Sequence, residues 1–265
     1  MITIYNEDCF QTMTRMVEEG TKVDIILTSP PYGTSRNDIS ERSRQHHKAR
    51  YDVYREALSD DEYIQWTMNL FAHYDSILKE NGVILYNMSY GSEHPDLLWR
   101  LLNTLITESN FMVADCLVWK KANALPMNQS INKMTRFTEF VFVFCRRSEF
   151  DTYRANKPLI TENSRFGNKY KCHSNFIDAI NNNGANELNK ATFSTQFVEQ
   201  LLDRYAYSTD LLVYDSFMGT GTTAVACKHR GLSCIGSELS PAQVEFANNW
   251  LAGERFAPTG VKRLF

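Results

Sequence analysis

The sequence predicts an α/β protein built on a doubly wound, mostly parallel β-sheet. Near the amino end the chain reads as a strand, a helix and a second strand within roughly thirty residues. Near the other end, an aliphatic strand runs into a glycine-bearing turn and then a helix. Between them, short apolar runs alternate with longer segments of helical periodicity. Strands that alternate with helices are typical of a parallel sheet covered by helices on both faces.

Length and composition fit a single domain. At 265 residues and 43% hydrophobic, the chain is long enough to bury a substantial core, so we treat residues 1–265 as one domain. The formal net charge is −3 and the pI is about 6.1, which gives no overall basic character. Any polyanionic partner must therefore meet a local basic patch.

Cysteine usage and hydropathy indicate the compartment. The six cysteines lie without Cys-x-x-Cys pairs, so we expect reduced thiols and no metal site. The chain has no cationic-then-apolar leader and no apolar run of about 18 residues or more. We therefore expect a cytoplasmic protein without a membrane segment.

The first unit ends at a rigid turn. Residues 2–5 alternate as a short strand with acidic residues at its tip, and residues 10–19 have helical spacing before Gly20. Residues 23–27 then form an aliphatic strand that stops at two prolines.

The turn after that strand, residues 29–32, is a candidate docking site. Each proline fixes its own φ and holds the preceding residue extended, so the carbonyls of Ser29 and Pro30 point in fixed directions. Together with the ring of Tyr32, the turn presents a hydroxyl, a carbonyl and an aromatic face. A simple strand terminator is the alternative interpretation.

A basic segment follows the turn over residues 34–58. It contains few apolar residues, and its cations outnumber its acids. A loop of this length in a compact domain is usually functional or disordered, so we predict a mobile loop that either grips phosphates or is merely solvated. The candidate DNA-binding cations in it are Arg36, Arg42, Arg44, Lys48 and Arg50.

The middle of the chain alternates helices and strands. Ser59 and Glu62 form a capping box, and apolar residues at helical spacing follow through Leu78 until Gly82. Strands are predicted over residues 83–86, 112–119 and 140–144, with a helix over residues 95–106. Between the last two strands, Lys121 and Arg136 are further candidates for DNA contact.

Residues 150–190 form a polar, asparagine-rich stretch with no regular periodicity over most of its length. We predict an inserted specificity segment that is partly mobile without ligand. Basic residues interleaved with aromatic ones suit phosphate contact and base stacking, although ordinary surface loops have similar composition.

The final third has the layout of a nucleoside-binding βαβ unit. A helix over residues 193–205 precedes a strand ending at Asp215, a turn containing Gly219 and Gly221, a helix over residues 224–230, and a strand leading to Glu238. The glycines permit close backbone approach, and Glu238 can accept hydrogen bonds from ribose hydroxyls. The glycine spacing disfavours a pyrophosphate, so an adenosine ligand without one fits better.

Two motifs carry a family resemblance. Thr28-Ser29-Pro30-Pro31-Tyr32 resembles the catalytic motif of DNA amino-methyltransferases, and residues 215–223 resemble their S-adenosylmethionine motif. The catalytic motif comes first, which is the order of the β class. The resemblance covers nearly the whole chain, including the acidic residues before Cys9 and the paired strands of residues 119–144.

The resemblance implies a fold, a cofactor and a partner. We expect a sheet of the S-adenosylmethionine-dependent methyltransferase type with inserted DNA-recognition loops. The protein would act on double-stranded DNA as a monomer or homodimer, and the sequence leaves open whether a companion restriction endonuclease exists. The expected cofactor-binding residues are Asp8, Cys9, Thr28, Thr192, Phe193, Asp215, Phe217, Gly219, Gly221, Thr222, Thr223 and Glu238.

The resemblance also assigns the turn its chemistry. The exocyclic amine of a base is a poor nucleophile because its lone pair is delocalised into the ring. Hydrogen bonds from the amine to the Ser29 hydroxyl and the Pro30 carbonyl would free that lone pair, with Pro31 stiffening the turn and Tyr32 stacking on the flipped base. The chain has no Pro-Cys pair, so we expect no covalent intermediate.

Serine before Pro-Pro-Tyr is commoner in enzymes that methylate cytosine N4, so that base is expected here. Adenine N6 is the alternative, because hydroxyls and carboxylates both accept from an amine. An RNA or protein-glutamine methyltransferase is a further alternative, against which the basic segment and the late cofactor motif favour DNA. A noncatalytic nucleic-acid-binding protein is another, and S-adenosylmethionine binding would distinguish it. Two departures from the family pattern are Ser216, where proline is usual, and residues 189–194, which lack the usual His and Pro.

Overall fold

The computed structural model describes residues 1–32, 58–91, 94–122, 131–165, 167–181, 188–189 and 192–253. The strands are β1 (Ile2–Tyr5), β2 (Val23–Thr28), β3 (Leu78–Met88), β4 (Phe111–Lys121), β5 (Thr138–Arg146), β6 (Leu159–Ser164), β7 (Gly167–Tyr170), β8 (Phe176–Ala179), β9 (Leu212–Asp215) and β10 (Ser233–Ser237). The helices are α1 (Cys9–Glu18), α2 (Asp60–Ile77), α3 (Leu97–Glu108), α4 (Thr195–Tyr205), α5 (Thr222–His229) and α6 (Pro241–Ala252), with a short 3-10 turn at Arg147–Glu149.

An eight-stranded sheet runs in the order β1-β10-β9-β2-β3-β5-β4-β8. Neighbouring strands are parallel from β1 through β3 and again between β4 and β8, whereas β5 is antiparallel to both of its neighbours. Strands β6 and β7 form a separate antiparallel pair. The predicted α/β class with a mostly parallel sheet is confirmed.

Each face of the sheet is covered by helices, because successive strand residues point to opposite sides. Ile26 and Ile84 pack against the apolar faces of α1, α2 and α3. Ile25, Leu27 and Val213 face the opposite way and pack against α4 and α5. Central strands buried on both faces explain the continuous aliphatic runs of the sequence.

Side-chain caps fix the starts of the helices. Ser59 and Glu62 form the predicted capping box at α2, in which each side chain accepts from the other residue's backbone N–H. Ser240 caps α6 by accepting from the N–H of Gln243, and Pro241 occupies the first turn. Among the described residues, no helix combines the length and hydropathy that a membrane crossing requires.

One prediction about secondary structure was wrong. Leu78 was assigned to the preceding helix, but it begins β3 because its backbone pairs with Val23 of the neighbouring strand. Residues 150–190, whose sequence has no regular periodicity over most of its length, contain β6, β7 and β8, and β8 joins the main sheet beside β4. These strands depend on pairing with distant strands, which local periodicity does not contain.

The carboxyl ends of β2 and β9 lie side by side at a switch point of the topology. From β2 the chain continues to β3, whereas from β9 it continues to β10 on the opposite side. The connections therefore diverge and leave a crevice between the two strand ends. Ligands of open α/β sheets bind in such crevices, so the fold brings together turns that lie almost two hundred residues apart in sequence.

Candidate functional site

A cleft opens at this switch point, with the two sequence motifs on its walls. The predicted site residues that line it are Asp8, Cys9, Ser29, Pro31, Thr192, Phe193, Phe217, Gly219, Thr222 and Glu238. Both predicted sets, the turn after β2 and the glycine turn after β9, therefore border one cleft.

Other lining residues were missed by the sequence analysis. They are Glu7, Trp66, Asn189, Ser216, Met218, Thr220, Ser237, Leu239 and Gln243. Trp66 has the helical spacing of a core residue in α2, and that spacing carries no signal for a cleft. Asn189 and Gln243 hydrogen-bond to each other at 3.0 Å across 54 positions of sequence, a contact that no local pattern indicates.

Four predicted cofactor residues lie behind the wall rather than on it, namely Thr28, Asp215, Gly221 and Thr223. Asp215 is buried, and its carboxylate accepts from the Thr28 hydroxyl at 2.8 Å, the Thr223 hydroxyl at 2.6 Å and the Phe217 N–H at 3.0 Å. These bonds join the end of β9 to β2 and to the start of α5. Asp215 therefore holds the two turns in register.

Burial also changes the acidity of Asp215. Desolvation raises the pKa of its carboxyl from 3.8 to about 6, although the hydrogen bonds from Thr223, Phe217 and Thr28 oppose that shift. A raised pKa in the folded state means that the folded protein binds more protons than the unfolded chain between these two values. The contribution of Asp215 to the free energy of unfolding is therefore fully present below the pKa that this carboxyl has in the unfolded chain. It is lost as the pH rises through about 6.

We predict that the wild type loses stability relative to Asp215→Asn, which cannot ionise, by about 2 kcal/mol as the pH rises from about 4 to about 7. Urea unfolding of both proteins across this range measures the difference. Parallel stability curves for the two proteins would contradict the assigned shift.

The glycine turn after β9 needs its glycines for different reasons. Gly219 and Gly221 have φ values of +55° and +90°, which side chains rarely adopt. A Cβ on Gly221 would also lie 2.6 Å from the Cβ of Ala247 on α6. Gly221 thus allows α6 to pack against the turn, while Gly219 supplies the left-handed φ in which its N–H donates to Glu238 at 2.8 Å.

Glu238 stands at the end of β10, where the sequence placed a ribose acceptor. Its carboxylate accepts from the N–H groups of Gly219 at 2.8 Å and Ser240 at 2.9 Å. Each carboxylate oxygen has more than one acceptor site, so these bonds fix its orientation while leaving it able to accept from a ligand hydroxyl. Cys9, which also lines the cleft, is a neutral thiol, because burial raises its pKa well above the ordinary value.

Ser216, which stands where the family usually has proline, has a structural role. Its buried hydroxyl lies 3.2 Å from the Thr28 hydroxyl and hydrogen-bonds to the phenol of Tyr74 on α2. A proline could make neither contact. The two turns and α2 are therefore joined by side-chain hydrogen bonds at the floor of the cleft.

Aromatic side chains form one wall. The ring of Trp66 lies 5.7 Å from that of Phe217, and Phe10 meets Trp66 edge-on at 6.5 Å. Helix α2 thus supplies a flat apolar surface beside the glycine turn. Such a surface suits a planar or apolar part of a ligand.

The turn of residues 29–32 is held from two sides. Tyr63 of α2 donates its hydroxyl proton to the Pro31 carbonyl at 2.7 Å. Tyr32 is nearly buried, and its hydroxyl lies 3.1 Å from both Asn87 Oδ1 on β3 and Glu139 Oε2 on β5. Ser29 lies at the cleft, and its hydroxyl is 3.4 Å from that of Tyr32.

The predicted DNA-binding cations fall into two groups. Arg36, Arg42, Arg44, Lys48 and Arg50 lie outside the described residues. Lys121 and Arg136 lie near the carboxyl edge of the sheet, the first paired with the Glu139 carboxylate and the second over the ring of Tyr90, where it donates to the Tyr90 carbonyl. Neither cation belongs to the lining of the cleft.

Comparison with known proteins agrees with this geometry. Residues 23–249 match the model of the N6/N4 methyltransferase family described as DNA methylase. The Type II methyltransferase M.Cfr9I of Citrobacter freundii is 28% identical over an alignment that covers 95% of this chain and 88% of M.Cfr9I. M2.DpnII of Streptococcus pneumoniae, also a Type II methyltransferase, is 23% identical, with 96% and 90% of the two chains covered.

Solved structures share the fold. The PvuII DNA methyltransferase, described as cytosine-N4-specific, superposes with a TM-score of 0.66 at 18% identity, covering 98% of this chain and 88% of that one. M1.HpyAVI, in a complex with SAM, superposes with a TM-score of 0.61 at 21% identity, covering 95% and 100%. At these identities the likeness concerns the fold.

Proposed function

Since this chain belongs to the DNA methylase family of N6 and N4 methyltransferases, we propose that it methylates the N4 amine of cytosine at a specific sequence in double-stranded DNA. The observation that carries the proposal is the position of Ser29, whose hydroxyl borders the same cleft as the glycine turn and Glu238. The residue that would accept from the base and the residues that would bind the cofactor then line one cleft. Within this family, serine at that position is commoner in cytosine-N4 enzymes than in adenine-N6 enzymes.

The residues of the cleft fit S-adenosylmethionine. Glu238 would accept from the ribose hydroxyls, and the ring of Phe217 with Trp66 would cover the apolar part of the ligand. Asp8 and Cys9 would border the adenine, with Thr192 and Phe193 closing over the methionine side. When bound, S-adenosylmethionine supplies a methyl group activated by a positively charged sulfonium.

The turn after β2 would act on the base. The amine would donate to the Ser29 hydroxyl and to the Pro30 carbonyl, which draws its nitrogen toward a tetrahedral shape and makes its lone pair available. The backbone that carries the Pro30 carbonyl is restrained before the base arrives, because Pro31 has a fixed φ and its own carbonyl accepts from Tyr63. Preorganised polar groups of this kind need no rearrangement during the reaction.

DNA would approach from the carboxyl edge of the sheet. An enzyme that acts on a base amine must take the base out of the duplex, and the residues proposed to hold the backbone are Lys121, Arg136 and the cations of residues 34–58. Residues 150–190 are proposed to read the target sequence. The Type II names of the relatives support a companion restriction endonuclease of the same specificity.

The test is direct. Plasmid DNA incubated with the enzyme and S-adenosylmethionine is digested to nucleosides for mass spectrometry, and a second sample is sequenced as single molecules to map the site. We expect N4-methylcytosine at one sequence. N6-methyladenine would contradict the choice of base while leaving the reaction class intact, and methyl-free DNA would contradict the proposed function itself.

A further inference from the structure

A chain of polar side chains leads from the cleft into the sheet. The Ser29 hydroxyl lies at the cleft, 3.4 Å from the Tyr32 hydroxyl, which lies 3.1 Å from Glu139 Oε2. The antiparallel direction of β5 makes this possible, because it brings the amino end of that strand to the carboxyl edge of its neighbours. Glu139, the second residue of β5, therefore stands behind the turn.

The contacts around Tyr32 set the direction of its proton. The side-chain amide of Asn87 donates to the Phe140 carbonyl at 2.9 Å, which leaves its oxygen facing Tyr32 at 3.1 Å. Two acceptors thus surround a phenol that has one proton to give. A carboxylate that pairs with a lysine is a stronger acceptor than a neutral amide oxygen, so the phenol donates to Glu139 while its own oxygen accepts from Ser29.

Glu139 is held in place for this role. Its side chain is 14% exposed, and its other oxygen pairs with the ammonium of Lys121, which is 19% exposed. The carboxylate is therefore fixed on one side by a cation and presents Oε2 to Tyr32 on the other. A shielded acid with a fixed partner is poised to take a proton without rearrangement.

Transfer of a methyl group to an amine creates a need for such an acceptor. The methylated nitrogen carries a positive charge until it loses a proton. The turn itself cannot keep that proton, because Ser29 presents only a neutral hydroxyl and Pro30 only a carbonyl. We propose that Glu139 is the terminal proton acceptor of the reaction, reached through the hydroxyls of Ser29 and Tyr32. This inference rests on the proposed function.

The step balances. The bond between nitrogen and methyl forms as the bond between sulfur and methyl breaks, leaving the thioether product and a protonated amine. The amine proton passes to Ser29 Oγ, the Ser29 proton passes to the Tyr32 oxygen, and the Tyr32 proton passes to Glu139 Oε2. Both hydroxyls end as they began, and Glu139 later releases its proton to solvent.

A double-mutant cycle tests the chain. Single-turnover methyl transfer is measured at saturating cofactor and DNA for the wild type, Glu139→Gln, Tyr32→Phe and the double variant. We expect each single variant to slow transfer by about 100-fold, at the lower end of what a general base contributes. The double variant should lie within about threefold of the slower single variant, because both changes interrupt the same path. The KM for cofactor should be unchanged.

Tyr63→Phe is the matched control. It removes another phenol hydroxyl that contacts the same turn, but Tyr63 is not a member of the proton path from Ser29 to Glu139. Its effect on the rate should be equal in the wild type and in Glu139→Gln. Glu139→Asp keeps a carboxylate and should retain more activity than Glu139→Gln. This comparison controls for a folding defect, because Glu139→Gln leaves Lys121 without its carboxylate partner. Multiplicative effects of Tyr32→Phe and Glu139→Gln, or a rate for Glu139→Gln within twofold of wild type, would overturn the proposal. An inactive wild type would instead contradict the proposed function.

Discussion

Ser29→Ala is expected to slow methyl transfer by about 100- to 1,000-fold while leaving the affinity for S-adenosylmethionine within about twofold. The hydroxyl is proposed to accept from the amine as its nitrogen becomes tetrahedral, so its loss raises the barrier of the chemical step. In the proposed arrangement the cofactor is held chiefly by the glycine turn and Glu238, which also line the cleft. Single-turnover rates with labelled cofactor and calorimetric binding of S-adenosylhomocysteine measure the two quantities separately.

Ser109→Ala provides a matched control. Ser109 is also a partly buried serine, but it follows α3 and precedes β4 at the opposite edge of the sheet, where its hydroxyl bonds the Leu105 carbonyl. Its removal should change stability slightly and transfer not at all. If Ser29→Ala weakened cofactor binding as much as it slowed transfer, the role assigned to Ser29 would be wrong.

Glu238→Ala is expected to weaken S-adenosylhomocysteine binding by about 10- to 100-fold, because a hydrogen bond to a charged group contributes about 1.5 to 3 kcal/mol. The same change removes the acceptor for the N–H groups of Gly219 and Ser240. The glycine turn should therefore also lose order. Calorimetry gives the affinity, and thermal unfolding without ligand shows how much of the effect comes from the turn.

A ligand lacking the ribose hydroxyls separates these two contributions. The wild type should bind the dideoxyribose analogue of S-adenosylhomocysteine, which lacks both hydroxyls, at least tenfold more weakly than the parent compound. Glu238→Ala should bind both compounds with nearly equal affinity, because the carboxylate that distinguishes them is gone. A variant that still discriminated as the wild type does would show that another group holds the ribose.

Several site residues were predictable because their signals are local. Two successive prolines restrict the backbone whatever surrounds them, so the rigid turn at Ser29 follows from residues 29–32 alone. The glycines at 219 and 221 likewise mark positions of positive φ. Both turns were placed at strand ends from aliphatic runs, and the structure has them there.

Other residues gave no signal because their roles depend on distant partners. Ser216 was recognised only as a departure from a pattern, and its bonds to Thr28 and Tyr74 appear once the helix and both turns are in place. Trp66 has the spacing of a core residue yet lines the cleft. Glu139 lies at the start of the apolar strand β5, and it stands behind Tyr32 because that strand runs antiparallel to its neighbours.

The sequence by itself determined the two turns, the class of fold and the kind of chemistry, because backbone restraint, strand periodicity and motif order are properties of neighbouring residues. Only the tertiary structure decided that Asp215 lies behind the cleft wall, that Leu78 begins a strand, and that Glu139 stands behind Tyr32. These depend on which strands lie side by side and in which direction they run. Strand order follows from the packing of the whole chain, so it cannot be read from any single segment.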